Sequence, residues 1–140
     1  MRLAVVDYGA GNLASVIKAL HAVAPDASLT RATTPRDVAD ADALIVPGVG
    51  HFHATAALDA SWRSAIRTRV DAGIPLLGIC LGMQWLFEGS DEAPNLPGLG
   101  VFPGRCFALP AGRGIKIPHV GWNQLERTSR SSRLLAEVPD

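Results

Sequence analysis

Pro75-Leu76-Leu77-Gly78-Ile79-Cys80-Leu81-Gly82-Met83-Gln84-Trp85-Leu86-Phe87 decides how this chain folds. A short apolar run ends in Gly-x-Cys-x-Gly, and Met83, Leu86 and Phe87 then follow at helical spacing. Strand, sharp turn and helix in immediate succession make the layout of a nucleophile elbow. In such a turn the central residue is strained, and the flanking glycines remove side chains that would collide with the adjoining strand and helix. The turn sets Cys80 at a helix start, where unpaired N–H groups favour thiolate over thiol. The next amide, on Leu81, is then placed to face the oxyanion that forms when the sulfur attacks a carbonyl. A free cysteine is more often a buried packing group, but glycines at both i−2 and i+2 favour the nucleophile here.

Upstream, apolar runs alternate with helical patterns. Leu3-Ala4-Val5-Val6 reads as a buried parallel strand, and Tyr8-Gly9-Ala10-Gly11-Asn12 as the turn after it. Asn12 can cap a helix whose apolar residues Leu13, Val16, Ile17 and Leu20 fall at i, i+3, i+4 and i+7. Gly9-x-Gly11-x-x-Ala14 loosely matches a dinucleotide fingerprint. The second strand, Ala27 to Ala32, ends without the acidic residue that fingerprint requires, so a tight βα turn is the simpler reading. Thr34-Pro35 predicts a short helix to about Ala39. Ala43-Leu44-Ile45-Val46 is the third strand and ends in Pro47-Gly48-Val49-Gly50. One long helical region is predicted from about Ala54 to Ala72, with Leu58, Trp62, Ile66 and Val70 inward and Gly73 as its stop.

This alternation predicts an α/β fold with a parallel sheet, whose ligands bind beyond the carboxyl ends of the strands. The Tyr8 turn, the Pro47 loop and Cys80 all follow such ends and should share one edge of the sheet. The Pro47 loop beside Cys80 would bring bare backbone near a substrate and could supply a second oxyanion N–H. His51 and His53 stand two apart, cannot share a helix face, and read as solvated residues more readily than as a base. After Phe87, Glu88 to Gly100 reads as loop. Val101-Phe102, Arg105 to Leu109 and Gly114 to His119 read as short strands in antiparallel hairpins. Cys106 within them reads as structural. Leu134, Leu135 and Val138 suggest a last short helix.

The whole chain has 140 residues, 48% of them hydrophobic, with thirteen basic residues against thirteen acidic ones. That balance suggests neither nucleic acid nor an anionic membrane as a partner. Apolar runs fall far short of a membrane-spanning helix, and the first residues enter a strand without a signal-peptide layout, so the default expectation is cytoplasmic. Cys80 and Cys106 lack metal-ligand spacing and suggest no disulfide framework.

Taken together, the motifs resemble a known family. Asp7-Tyr8-Gly9-Ala10-Gly11-Asn12-Leu13, Pro47-Gly48-Val49-Gly50, the Cys80 elbow, Gly98-Leu99-Gly100 with Pro103-Gly104, and Pro118-His119-Val120-Gly121-Trp122-Asn123 occur in this order. This is similar to the triad-type (class I) glutamine amidotransferases, and within them to the glutaminase subunits of imidazole glycerol phosphate synthase in histidine biosynthesis. The resemblance implies a flavodoxin-like three-layer sandwich forming a single domain over residues 1–140, with no metal and no cofactor. It implies Cys80 as the nucleophile that forms a γ-glutamyl thioester and releases ammonia. Leu81, Val49 and Gly50 would form the oxyanion hole, and Gly48 and Gln84 would bind glutamine. Asn12, Trp122 and Asn123 would face the partner, a (β/α)8-barrel cyclase that consumes the ammonia.

One departure matters. The family's general base and its orienting acid come from a late His-Pro-Glu motif, and none of His21, His51, His53 or His119 is followed by Pro-Glu. The expectation is a chain truncated at its C-terminus, with negligible glutaminase turnover by itself because base and nucleophile act together. Two alternatives stay open. The chain could be a catalytically silent subunit that docks to the cyclase, or another cysteine hydrolase using the same elbow.

Overall fold

Leu3-Ala4-Val5-Val6 forms the middle of the sheet as β1 (Arg2–Val6). In the computed structural model, which describes residues 1–110 together with 112, 117, 121, 122 and 124, all four of these residues are buried. β1 pairs in parallel with β2 (Ser28–Ala32) on one side and with β3 (Ala43–Val46) on the other. β4 (Leu76–Gly78) pairs in parallel with β3, so the order is β2-β1-β3-β4. Strands enclosed on both faces need apolar side chains in both directions, which is why β1 and β3 read as unbroken apolar runs instead of alternating ones. The chain divides into two compact units, Met1–Ala108 and Leu109–Asp140. The sheet belongs to the first.

One face of the sheet, carrying Ala4, Val6, Leu44 and Val46, packs against Phe52, Leu58, Trp62, Ile66, Leu81 and Trp85. Each large apolar side chain buried there contributes about 1.5–3 kcal/mol before entropy is counted. The other face lies under α1 (Leu13–Val23), whose start is capped by Asn12 Oδ1 accepting from the Ser15 N–H at 3.1 Å. α1 has the expected apolar stripe, yet none of its residues is fully buried. Beside it Val16, Leu20, Val23, Ile45, Leu77 and Ile79 line an apolar groove, with Leu77 52% and Ile79 38% exposed.

Two expectations are corrected. The long helix is two elements, a 3-10 segment Phe52–Ala57 and then α2 (Ala60–Asp71). Asp59 breaks them apart, because its carboxylate accepts from the Ser61 and Trp62 N–H groups at 2.9 and 3.0 Å and so starts a new helix. The expected antiparallel hairpins are replaced by a small parallel pair. β5 (Gly89–Ser90) bonds to β6 (Arg105–Cys106), and Val101-Phe102 is not a strand. The strand at Gly114 to His119 and the last helix fall outside the described residues, apart from Ile117. The short helix after Thr34 is a 3-10 turn, Pro35–Val38.

Several carboxylates accept from backbone N–H groups at the starts of strands and helices, and this sets the acid sensitivity of the fold. The Arg2 N–H, at 2.7 Å, and then the Arg2 guanidinium hold Asp42 below the usual 3.8. Asp59 is lowered by the Ser61 hydroxyl and the Trp62 N–H, and Asp37 by the Thr34 and Thr33 N–H groups. A group whose pKa is lower when folded binds its proton more readily when unfolded. Its stabilisation is therefore full above 3.8 and is lost as pH falls through the lower folded value. Thermal melts should hold a steady midpoint from neutral pH downward and fall steeply only below about pH 4. Asp42→Asn should flatten that acid limb, and an unchanged limb would show that Asp42 plays no part in it.

Candidate active site

Cys80 joins β4 to α3 (Leu81–Trp85) with φ 52° and ψ −111°, and it is the one non-glycine residue of positive φ among the described residues. A side chain in that region costs about 1–3 kcal/mol, and here the thiol is left exposed. The two glycines of the motif allow the sharp turn in different ways. A methyl group on Gly78 would stand 2.6 Å from Met83 Cα, against the helix. One on Gly82 would overlap the Val46 carbonyl oxygen and stand 2.7 Å from the carbonyl carbon, against β3. Bare backbone on both sides lets the helix start directly on top of the sheet.

The predicted edge assembles. The Tyr8 turn, the Pro47 loop and the elbow meet at Gly48. A methyl on Gly11 would come within 3.0 Å of Gly48 Cα, and one on Gly48 would come within 3.0 Å of Leu81 Cβ and would overlap the Tyr8 hydroxyl. The buried Leu81 N–H donates to the Gly48 carbonyl at 3.2 Å, so this amide is engaged. Val49 is exposed, and Gly50 turns the loop with φ 99°. Asp7, just before the turn, accepts from the Gly9 N–H and from Arg31 Nε at 2.6 Å. These contacts, led by the Gly9 N–H, hold its carboxyl below the usual range.

One turn beyond Cys80, half-buried Gln84 lines a cleft of about 380 Å³ with Met83, Phe87, Ser90, Glu92, Arg105 and Cys106. Its charged groups are held in place. Glu92 Oε2 accepts from the Phe52 N–H at 2.8 Å, and the Arg105 guanidinium donates to the Ser90 carbonyl at 2.8 Å and pairs with Asp91 at 3.3 Å. The Cys106 thiol lies 3.8 Å from the Gln84 carbonyl, and burial pushes it up from its ordinary value. His51 Nδ1 accepts from the His53 N–H at 3.1 Å, capping the 3-10 segment, and both rings are exposed. Asn12 and Trp122 are exposed, while Asn123 and His119 lie outside the described residues. Sequence reading missed Tyr8 as a site residue although it sits inside the first motif. It also missed Glu92 and Arg105, which a charge-rich loop pattern does not distinguish from solvated residues. Among the described residues no helix is long and apolar enough to cross a membrane.

A parallel sheet with a cysteine elbow facing a glycine-rich loop is a layout shared by a class of α/β domains with a cysteine at the strand-to-helix turn, and residues 4–137 match the family described as glutamine amidotransferase class-I. The chain belongs to that family. Among its curated relatives, it is 46% identical over 127 residues to the imidazole glycerol phosphate synthase subunit HisH of Methanopyrus kandleri, a match covering 90% of this chain and 62% of that one. It is 44% identical over 144 aligned positions to the HisH subunit of Halalkalibacterium halodurans, covering 99% and 66%. The chain thus spans less than two thirds of the length of these relatives. A solved structure described as a glutamine amidotransferase superposes with a TM-score of 0.57 at 27% identity, covering 70% of this chain and 52% of that one.

Proposed function

We propose that this chain acts as a glutaminase subunit of an imidazole glycerol phosphate synthase, in the cytoplasm, without cofactor or metal. The observation that carries this is the exposed Cys80 thiol, on a positive-φ turn, beside a loop whose bare backbone reaches the next amide of the elbow. The Cys80 sulfur attacks the side-chain carboxamide carbon of glutamine and the C–N bond breaks. The leaving NH2 group takes the proton that the thiol gave up and departs as ammonia, and water then releases glutamate from the thioester and restores the thiol. Val49 and Gly50 supply oxyanion N–H groups, Leu81 supplies another once its bond to the Gly48 carbonyl is given up, and Gly48 and Gln84 border the bound amide. Opposite charges at Glu92 and Arg105, in the cleft one turn on, suit the ammonium and carboxylate of a free amino acid. Asn12, Trp122 and Asn123 face a (β/α)8-barrel cyclase, which uses the ammonia.

The test is covalent. A diazo-oxo-norleucine, an electrophilic glutamine analogue, should add once per chain, at Cys80 by peptide mass, and glutamine should protect. Labelling confined to Cys106, or labelling that glutamine does not slow, would overturn the reading. A silent subunit that only docks to the cyclase is the second reading. Cyclase binding without any glutamine-protected adduct would establish it.

A further inference from the structure

Two buried donors meet at Gly48. Its carbonyl accepts from the Leu81 N–H at 3.2 Å, the long end of the range for such a bond. Tyr8, only 8% exposed, lays its hydroxyl against the same residue, on the side where a side chain would otherwise be. That hydroxyl has no hydrogen-bond partner among the described residues. Leaving a buried donor unpaired is destabilising. Burial, and behind it the negative charge of a Cys80 thiolate, push the phenol up to about 12, so it keeps its proton throughout the physiological range. Two donors, Leu81 N–H and Tyr8 O–H, therefore lie against the same residue, Gly48, and only the first is bonded.

We propose that Tyr8 is a positioning residue for the reaction at Cys80: its hydroxyl takes over the Gly48 carbonyl and thereby frees the Leu81 N–H for the oxyanion. An amide already committed to a carbonyl cannot also stabilise developing charge at full strength. The exchange keeps one bond and one unpaired donor on each side, so it needs little free energy. It moves the unpaired donor from a tyrosine to the amide next to the nucleophile. Gly48, having no side chain, can turn its peptide and leaves room for the hydroxyl. Tyr8 touches no substrate in this scheme. The proposal rests on the reading of Cys80 as nucleophile.

Tyr8→Phe in the full chain removes only the oxygen, and two reactions of Cys80 separate its effects. Acylation by p-nitrophenyl acetate passes through an oxyanion: the sulfur bonds to the carbonyl carbon, the ester C–O bond breaks, and p-nitrophenolate leaves. Alkylation by iodoacetamide displaces iodide and forms no oxyanion. Tyr8→Phe should slow acylation on the order of tenfold, leave alkylation within about twofold, and leave the melting midpoint equal or higher because an unpaired buried hydroxyl is gone. Equal acylation rates, a parallel fall in both reactions, or a lowered midpoint would each overturn the role of Tyr8. Acylation as fast in Cys80→Ala as in the unsubstituted chain would instead overturn the reading of Cys80, which keeps the two failures apart.

Discussion

Replacing Cys80 by glycine is expected to make this protein both more stable and chemically inert. The residue holds φ 52°, where an L side chain crowds its own backbone and glycine does not. Urea titrations should therefore show Cys80→Gly unfolding later by about 1–2 kcal/mol. Cys80→Ala, which keeps a Cβ in the same strained conformation, should gain nothing. Both variants should lose all glutamine-protected labelling, because no other described cysteine stands at the elbow. The comparison separates two properties of one position, backbone strain and nucleophilicity. If glycine and alanine gave the same stability, the turn in solution would not have the backbone described here.

The second large effect is on folding. Gly82→Ala would drive a methyl into the Val46 carbonyl group, and Val46 is fully buried in a strand bonded on both sides. Neither backbone can give way without disturbing the sheet, so the expected loss is about 3 kcal/mol or more, a large share of the roughly 5–15 kcal/mol that holds a typical domain together. Gly73→Ala provides the contrast. Gly73 has φ 81° and nothing within 4 Å of an added methyl, so only the conformational penalty applies, about 1 kcal/mol. Chemical denaturation of the two variants side by side checks this. A Gly82→Ala protein as stable as the unsubstituted chain would mean that α3 does not sit on the end of β3.

Much of the architecture was legible because parallel strands leave a strong mark. Ala43 to Val46 was read with the bounds it has, and β1 differs by one residue. The Asn12 cap and the Gly73 stop were also readable, since each works through its own side chain or φ angle. The break at Asp59 was not. Leu58, Trp62 and Ile66 keep a spacing of four across it, and all three are buried whether the helix is one piece or two. The pairing of β5 with β6 was hidden for a different reason. Two-residue strands have no periodicity, and here the pairing is fixed by contacts such as Arg105 with Ser90 and Asp91, distant in sequence. Within the site, the glycines announced Cys80, because a turn that tight needs them. Tyr8 went unnoticed, since its unpaired hydroxyl is a property of three loops together and not of any one of them.

β4, from which Cys80 hangs, is three residues long, the shortest strand of the sheet, and among the described residues it bonds to β3 alone. Amide protons at such a rim exchange with solvent through small local openings, well before those of β1 in the middle. The Cys80 thiol is thus carried on the shortest strand of the sheet, and deuterium uptake at Leu76 to Gly78 would time how long the elbow stays assembled. Anything that lies along β4 and slows its fraying would prolong the life of the assembled elbow without touching the sulfur.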